Sequence, residues 1–175
     1  SLKRLGRYLL GRERMIIAFN YQSNMRNVHV FTDSDHAGCR IIRKSTSGGM
    51  IRLGEHTVKT WSTTQGVIAL SFGEAEYYAM VKGGSQALGV RAIIEDLGLV
   101  KGIVMKTDAS VAKAICSRRG LGKVRHIEVN QLWMQERVIN GDMVVIKIPG
   151  KENLADALTK PVDAGTLEFH VSKSG

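Results

Sequence analysis

Cysteine is scarce in this sequence. Cys39 and Cys116 are the only two, they lie far apart, and no CxxC spacing occurs. A disulfide framework and a zinc site are therefore not expected, and a reducing, intracellular compartment fits. Proline is equally scarce, with two in 175 residues, and the 19 glycines form no low-complexity linker. No run of about 18 apolar residues is present, so no membrane span is expected. No charged-then-apolar signal peptide opens the chain. The first residue is Ser1 rather than Met, as expected of a piece cut from something longer.

What is present suits one globular domain. Hydrophobic residues make up 43% of the chain and charged residues 23%, enough apolar side chain for a core. The net charge is +9, and the basic residues are clustered. Lys3, Arg4, Arg7, Arg12 and Arg14 crowd the start, Arg40, Arg43 and Lys44 form a second group, and Arg118, Arg119, Lys123 and Arg125 a third. A solvated surface accounts for the charge alone. A polyanion such as nucleic acid accounts for the clustering as well.

Periodicity predicts a helix over residues 1–14, with Leu2, Leu5, Tyr8 and Leu9 near one face. Residues 15–27 read as loop or a short strand. Strands follow at 28–33, in "STSGGMIRLG" and in "HTVKTWSTT", joined as a meander by a turn at Gly54-Glu55. A long helix is predicted from Phe72 to Leu97, with Ser71 and Glu74 as a capping box and Gly98 as its stop. Then come a strand at 103–107, a short helix from Ala109 to Ser117, and the basic loop "RRGLGKVR". A helix over 126–139, the strand "MVVIKI" and a last helix from Glu152 to Lys160 complete the order. That order is a mixed α/β domain with a five-stranded sheet.

Four acids stand out. Asp33 and Asp35 close the first strand on one face of an extended chain. Asp108 ends the fourth strand. Parallel packing of these two strands would bring the aspartates together at the carboxyl edge of the sheet, where open α/β sheets place their sites. An N-cap role explains Asp108 equally well. On the long helix, Glu76 shares a stripe with Ala79, Met80, Gly83, Ala87, Val90, Ile94 and Leu97. Glu74 lies about 200° away around the helix and has its capping role. A carboxylate facing inward is costly unless paired or bound to metal, so Glu76 is the one left unexplained. Asp156 has Lys160 four residues on, as an ordinary helix pair would. Taken together, four acids without a histidine or cysteine cluster select Mg²⁺ or Mn²⁺ over zinc.

The stretches "FTDSDHAG", "KSTSGG", "EAEYYA", "TDASVAKAI", "RHIEVNQLWMQERV" and "NLADALTKP" occur in this order. Together they resemble the ribonuclease H domain of copia-type retrotransposon Pol polyproteins. "LKRLGRYLLGR" resembles the segment that joins it to the reverse transcriptase. The resemblance runs from about residue 2 to residue 161. It implies a ribonuclease H-like fold with strand order 3-2-1-4-5. Residues 1–27 would be the connecting segment, 28–161 the domain and 162–175 a C-terminal tail. It implies a Mg²⁺-dependent endonuclease acting on the RNA strand of RNA–DNA hybrids, without an organic cofactor, in cytoplasmic retrotransposon particles. The family's Asp-Glu-Asp-Asp set falls on Asp33, Glu76, Asp108 and Asp156. One ion would sit on Asp33, Asp108 and Asp156, a second on Asp33, Glu76 and Asp108.

His36 and Ala109 stand where the family often has Trp and Asn. The loop "IPGKEN" lacks the histidine that cellular relatives carry before the last aspartate. His126 reads as a structural residue at a helix start. Hybrid contacts would fall on the RNA 2′-hydroxyls and the backbone. Candidates are Arg43, Lys44, Ser45, Thr46, Ser47 and Gln65, with Arg118, Arg119, Lys123 and Arg125, although strand and turn composition explains the polar ones too. A transposase or integrase would place its Glu last, which argues against that class. A degenerate nucleic-acid-binding or scaffold module is the remaining alternative.

Overall fold

The computed structural model describes residues 2–12, 14, 16–23, 25–39, 41–99, 102–122 and 127–174. Helix α1 (Leu2–Gly11) precedes strands β1 (Asn27–Ser34), β2 (Thr46–Leu53) and β3 (His56–Thr64). Helix α2 (Phe72–Asp96), β4 (Gly102–Thr107), α3 (Ser110–Cys116), α4 (Trp133–Ile139), β5 (Met143–Lys147) and α5 (Ala164–Ser172) follow. The sheet order is β3-β2-β1-β4-β5. β1 pairs antiparallel with β2, β2 antiparallel with β3, and β4 parallel with both β1 and β5.

The alternation in "NVHVFTDS" divides the interior in two. Val28 and Val30 join Tyr77, Met80, Ile103 and Met105 in the main core under α2. Phe31, on the other face, packs with Met50, Leu154 and Ala155. Two glycines permit close approaches that locate the acids. A Cβ at Gly83 would lie 2.5 Å from Thr32 Cγ2, so α2 can press onto β1 only at a glycine. A Cβ at Gly48 would lie 2.6 Å from Thr159 Cγ2, and its absence lets the turn after Asn153 lie against β2.

Four expectations are corrected. The helix expected over 126–139 is a 3₁₀ turn (Val129–Gln131) followed by α4. The Gln131 carbonyl is taken by the Tyr77 hydroxyl (2.7 Å), which competes with regular helical bonding. The helix expected from Glu152 to Lys160 is instead two 3₁₀ turns, Gly150–Glu152 and Asp156–Leu158. There Asn153 is fully buried; its amide donates to Thr32 O (3.0 Å) and its Oδ1 accepts from Ala155 N (3.2 Å). That local bond takes the chain off the helical path. The segment read as a tail carries α5, capped by Asp163, which accepts from Thr166 N. Leu97, placed on the inward stripe of α2, is 74% exposed.

Candidate active site

The parallel register Phe31↔Lys106 sets Asp33 and Asp108 level with each other, both two residues further along. Asp156 reaches them from the turn that Asn153, Leu154 and Ala155 anchor in the interior. One carboxylate oxygen from each of Asp33, Asp108 and Asp156 lies within 4.8 Å of the others. Glu76 enters from the first turns of α2, where its Oε1 accepts from Ser34 N (3.1 Å). Asn153 Nδ2 also reaches Asp108 Oδ1 (3.4 Å), and the Thr159 hydroxyl donates to Asp33 Oδ2. Lys160 Nζ pairs with Asp156 Oδ1 (3.2 Å) and Asp33 Oδ2 (3.8 Å). Asp108 does not cap α3: Ala109 N donates to Thr107 Oγ1 instead.

The electrostatics follow from burial and crowding. Burial pushes Asp33 up to about 6, helped by Asp156 and Asp108 and opposed by the Thr159 bond and Lys160. Glu76 is pushed up to about 8, first by burial and then by Asp33 and Asp108, against the Ser34 N–H. Its second oxygen, Oε2, is shut off from water and accepts no hydrogen bond. An orphaned buried carboxylate oxygen beside three clustered aspartates fits a hard divalent cation, whose all-oxygen demand this donor set meets. Gly150 keeps side-chain bulk away from that centre, since a Cβ there would stand 3.2 Å from Asp108 Oδ2.

Known proteins place the fold. The retrovirus-related Pol polyprotein from transposon RE1 of Arabidopsis thaliana is 29% identical over 178 residues, 100% of this chain and 12% of the relative. That from transposon TNT 1-94 of Nicotiana tabacum is 32% identical over 142 residues, 79% of this chain and 11% of the relative. The chain thus spans a small part of the curated relatives it matches. No family model matches. Among solved structures, LC11-RNase H1, isolated from compost, gives a TM-score of 0.53 at 19% identity over 77% of this chain and 94% of that one. The N-terminal RNase H domain of Rv2228c from Mycobacterium tuberculosis gives 0.52 at 16%, over 86% and 99%. The chain is a ribonuclease H-fold relative of the transposon Pol polyproteins.

Within the ribonuclease H fold, the other candidate residues separate into buried and open ones. Ser45, Ser47 and Gln65 are buried. Ser45 Oγ accepts from Ala37 N (3.0 Å), and Gln65 Nε2 donates to Ser47 Oγ (2.9 Å) and Ala75 O (2.8 Å). Thr46 N donates to Asp35 Oδ1, which makes Asp35 a turn residue outside the acid cluster. Lys44 Nζ donates to Gly66 O (2.6 Å). Arg43 is exposed with φ +57, a left-handed conformation uncommon for its type. Arg118 bonds Leu121 O (2.7 Å) and Arg119 is exposed. Lys123, Arg125 and His126 lie outside the described residues. Among the described residues no helix is long and apolar enough to cross a membrane.

Asn153 and Thr159 escaped the reading of the sequence, Lys160 entered it only as an ordinary helix partner of Asp156, and the stacking of His36 on Phe72 (ring centroids 4.3 Å apart) was not foreseen. Asn153 carried a usable signal: an asparagine flanked by Leu154 and Ala155 can end helical bonding rather than join it.

Proposed function

We propose that this domain hydrolyses the RNA strand of RNA–DNA hybrids, as part of reverse transcription by a Pol polyprotein. The observation that carries the reading is the meeting of Asp33, Asp108 and Asp156 from three separate elements, with Glu76 beside them, on a ribonuclease H fold. All four are read as catalytic metal ligands: Asp33, Asp108 and Asp156 would hold one Mg²⁺, and Asp33, Glu76 and Asp108 a second, with Mn²⁺ able to substitute. Bound there, such cations supply an activated water and a stabilised leaving 3′ oxygen. The chain's own groups set the acids in place. Asn153 ties Asp108 to the Thr32 carbonyl, Thr159 fixes one oxygen of Asp33, and the Ser34 N–H orients Glu76. Products would be 3′-hydroxyl and 5′-phosphate ends.

Arg43, Lys44, Arg118, Arg119, Lys123 and Arg125 are read as backbone contacts, and Thr46 as a partly open polar neighbour. Ser45, Ser47 and Gln65 support that surface from inside rather than touching the substrate. Residues 1–27 are read as the connection from a reverse transcriptase domain of the same polyprotein. The deciding experiment is cleavage of a labelled RNA–DNA hybrid with Mg²⁺, Mn²⁺ or EDTA, beside Asp33→Asn. Metal-dependent cleavage lost in the variant is expected. Hybrid binding without cleavage under any metal would replace this reading with a binding module.

A further inference from the structure

Lys160 is the cation of the acidic centre. The sequence pairs it with Asp156 at i+4, as on an exposed helix face. The chain forms no α-helix there, and the ammonium turns toward the carboxylates instead. It lies 3.2 Å from Asp156 Oδ1 and 3.8 Å from Asp33 Oδ2, and the Asp33 side chain is 3% exposed. Among the described residues, both ion pairs of the three clustered aspartates are made by Lys160.

We propose that Lys160 is a built-in counter-ion: it joins Asp33 to Asp156 in the metal-free protein and is displaced when a divalent cation takes those oxygens. The inference rests on reading the acids as a metal centre. Three carboxylates within reach of one another repel, and a positive charge among them relieves the repulsion. An ammonium and a divalent cation repel each other and compete for the same lone pairs, so one must give way. Lys160 can do so at small cost. Its side chain is 46% exposed, and its long stem lets the head swing into water. The two roles are thermodynamically linked. Whatever stability the pair lends the metal-free fold is withdrawn when the ion enters, and metal affinity is lower by the same amount. Lys160 is thus a positioning residue, acting through Asp33 and Asp156.

The test is Mn²⁺ binding to the metal-stripped protein at fixed ionic strength, with free Mn²⁺ followed by electron paramagnetic resonance. Lys160→Gln should bind Mn²⁺ about 5-fold tighter, the size expected for release of a half-exposed ion pair. It should also melt lower than wild type in EDTA, and the gap should close when Mn²⁺ saturates both. Lys160→Arg, which keeps the charge, should bind within about 2-fold of wild type. Unchanged or weaker binding by a folded Lys160→Gln overturns the proposal, while Mn²⁺ binding by the wild type leaves the metal centre standing. An equal gain from Lys151→Gln, an exposed cation on the preceding turn, assigns the effect to net charge and also overturns it. If neither wild type nor Lys160→Gln binds Mn²⁺, the metal-centre reading falls with it.

Discussion

Two inward-facing carboxylates lie two residues apart on α2, and their surroundings are built on opposite principles. Glu74 is 2% exposed, and both its oxygens are engaged: Oε2 accepts from Leu70 N (2.8 Å) and Oε1 from the Tyr78 hydroxyl (2.8 Å). It stabilises the helix start, together with the Ser71 cap on Glu74 N (3.2 Å). Glu76 keeps Oε2 buried and unbonded and stands among other acids. The first site is finished by the protein. The second, with Asp33, Asp108 and Asp156, leaves bonding capacity that the protein's own groups do not fill. Burial of a carboxylate alone therefore does not mark function; an unmet bonding demand does.

The widest separation between the sites is expected in activity. Asp33→Asn and Asp108→Asn should lower hybrid cleavage by about a thousandfold or more. Removing one of several repelling charges should leave melting in EDTA equal to or above wild type. Cleavage at the wild-type rate in either variant would end the assignment.

The two glutamates make the next contrast. Glu76→Gln should also abolish cleavage with no loss of metal-free stability. Glu74→Gln should leave cleavage within about 3-fold. It should cost about 1 kcal/mol of stability, since glutamine can still accept from Leu70 N and donate to Tyr78 Oη but makes neutral bonds in place of charge-assisted ones. Denaturant unfolding and turnover on the same preparations decide, and loss of activity in both variants would merge the two sites.

How much of this was legible follows the kind of signal. The sheet order came with the motif resemblance, and the strand positions with alternation, because apolar periodicity and turns are local properties. Glu76 was separable from Glu74 by helical angle, although that angle did not reveal that Glu74 is buried as well. The turn carrying Asp156 was read as a helix. Its conformation depends on Asn153 bonding to Thr32, a strand 121 residues away, and local propensity carries no record of that. Lys160 was read as a surface partner for the same reason. Ser45, Ser47 and Gln65 have the composition of a contact surface and the location of an interior network, which composition does not distinguish.

A smaller effect separates the sites by pH. The folded protein holds Glu76 protonated up to about 8, well above its ordinary carboxylate value. The unfolded chain has already released that proton, so the folded state binds more protons across the interval and stability falls as pH rises. Asp33 acts in the same sense but is finished by about 6. His29 and His170, both lowered chiefly by burial, act in the opposite sense, and mainly below about pH 7. Melting in EDTA between about pH 7 and 8 therefore reads chiefly Glu76. Wild type and Glu74→Gln should lose stability across that window, and Glu76→Gln should stay level. An equal slope in all three would move the titration elsewhere.

The smallest effect comes from deleting one hydroxyl at each site. Tyr78→Phe removes the donor to Glu74, and Thr159→Val the donor to Asp33. The chemistry removed is the same, a hydroxyl serving a buried carboxylate. Tyr78→Phe should cost about 1 kcal/mol in denaturant unfolding. Because Glu74 takes no part in the proposed reaction, the pH–rate profile should not move. At Asp33 the Thr159 bond favours the ionised carboxylate, so its loss raises an acid already pushed up to about 6 by burial. Asp33 must be ionised to hold a cation, and protons compete for it as pH falls. The acid limb of kcat/KM in Thr159→Val should therefore shift to higher pH, with the plateau at alkaline pH within a few-fold of wild type. Profiles measured at one Mg²⁺ concentration make the comparison. A shifted limb in Tyr78→Phe, or an unshifted one in Thr159→Val, would break the division between a carboxylate that the fold completes and carboxylates that it leaves open.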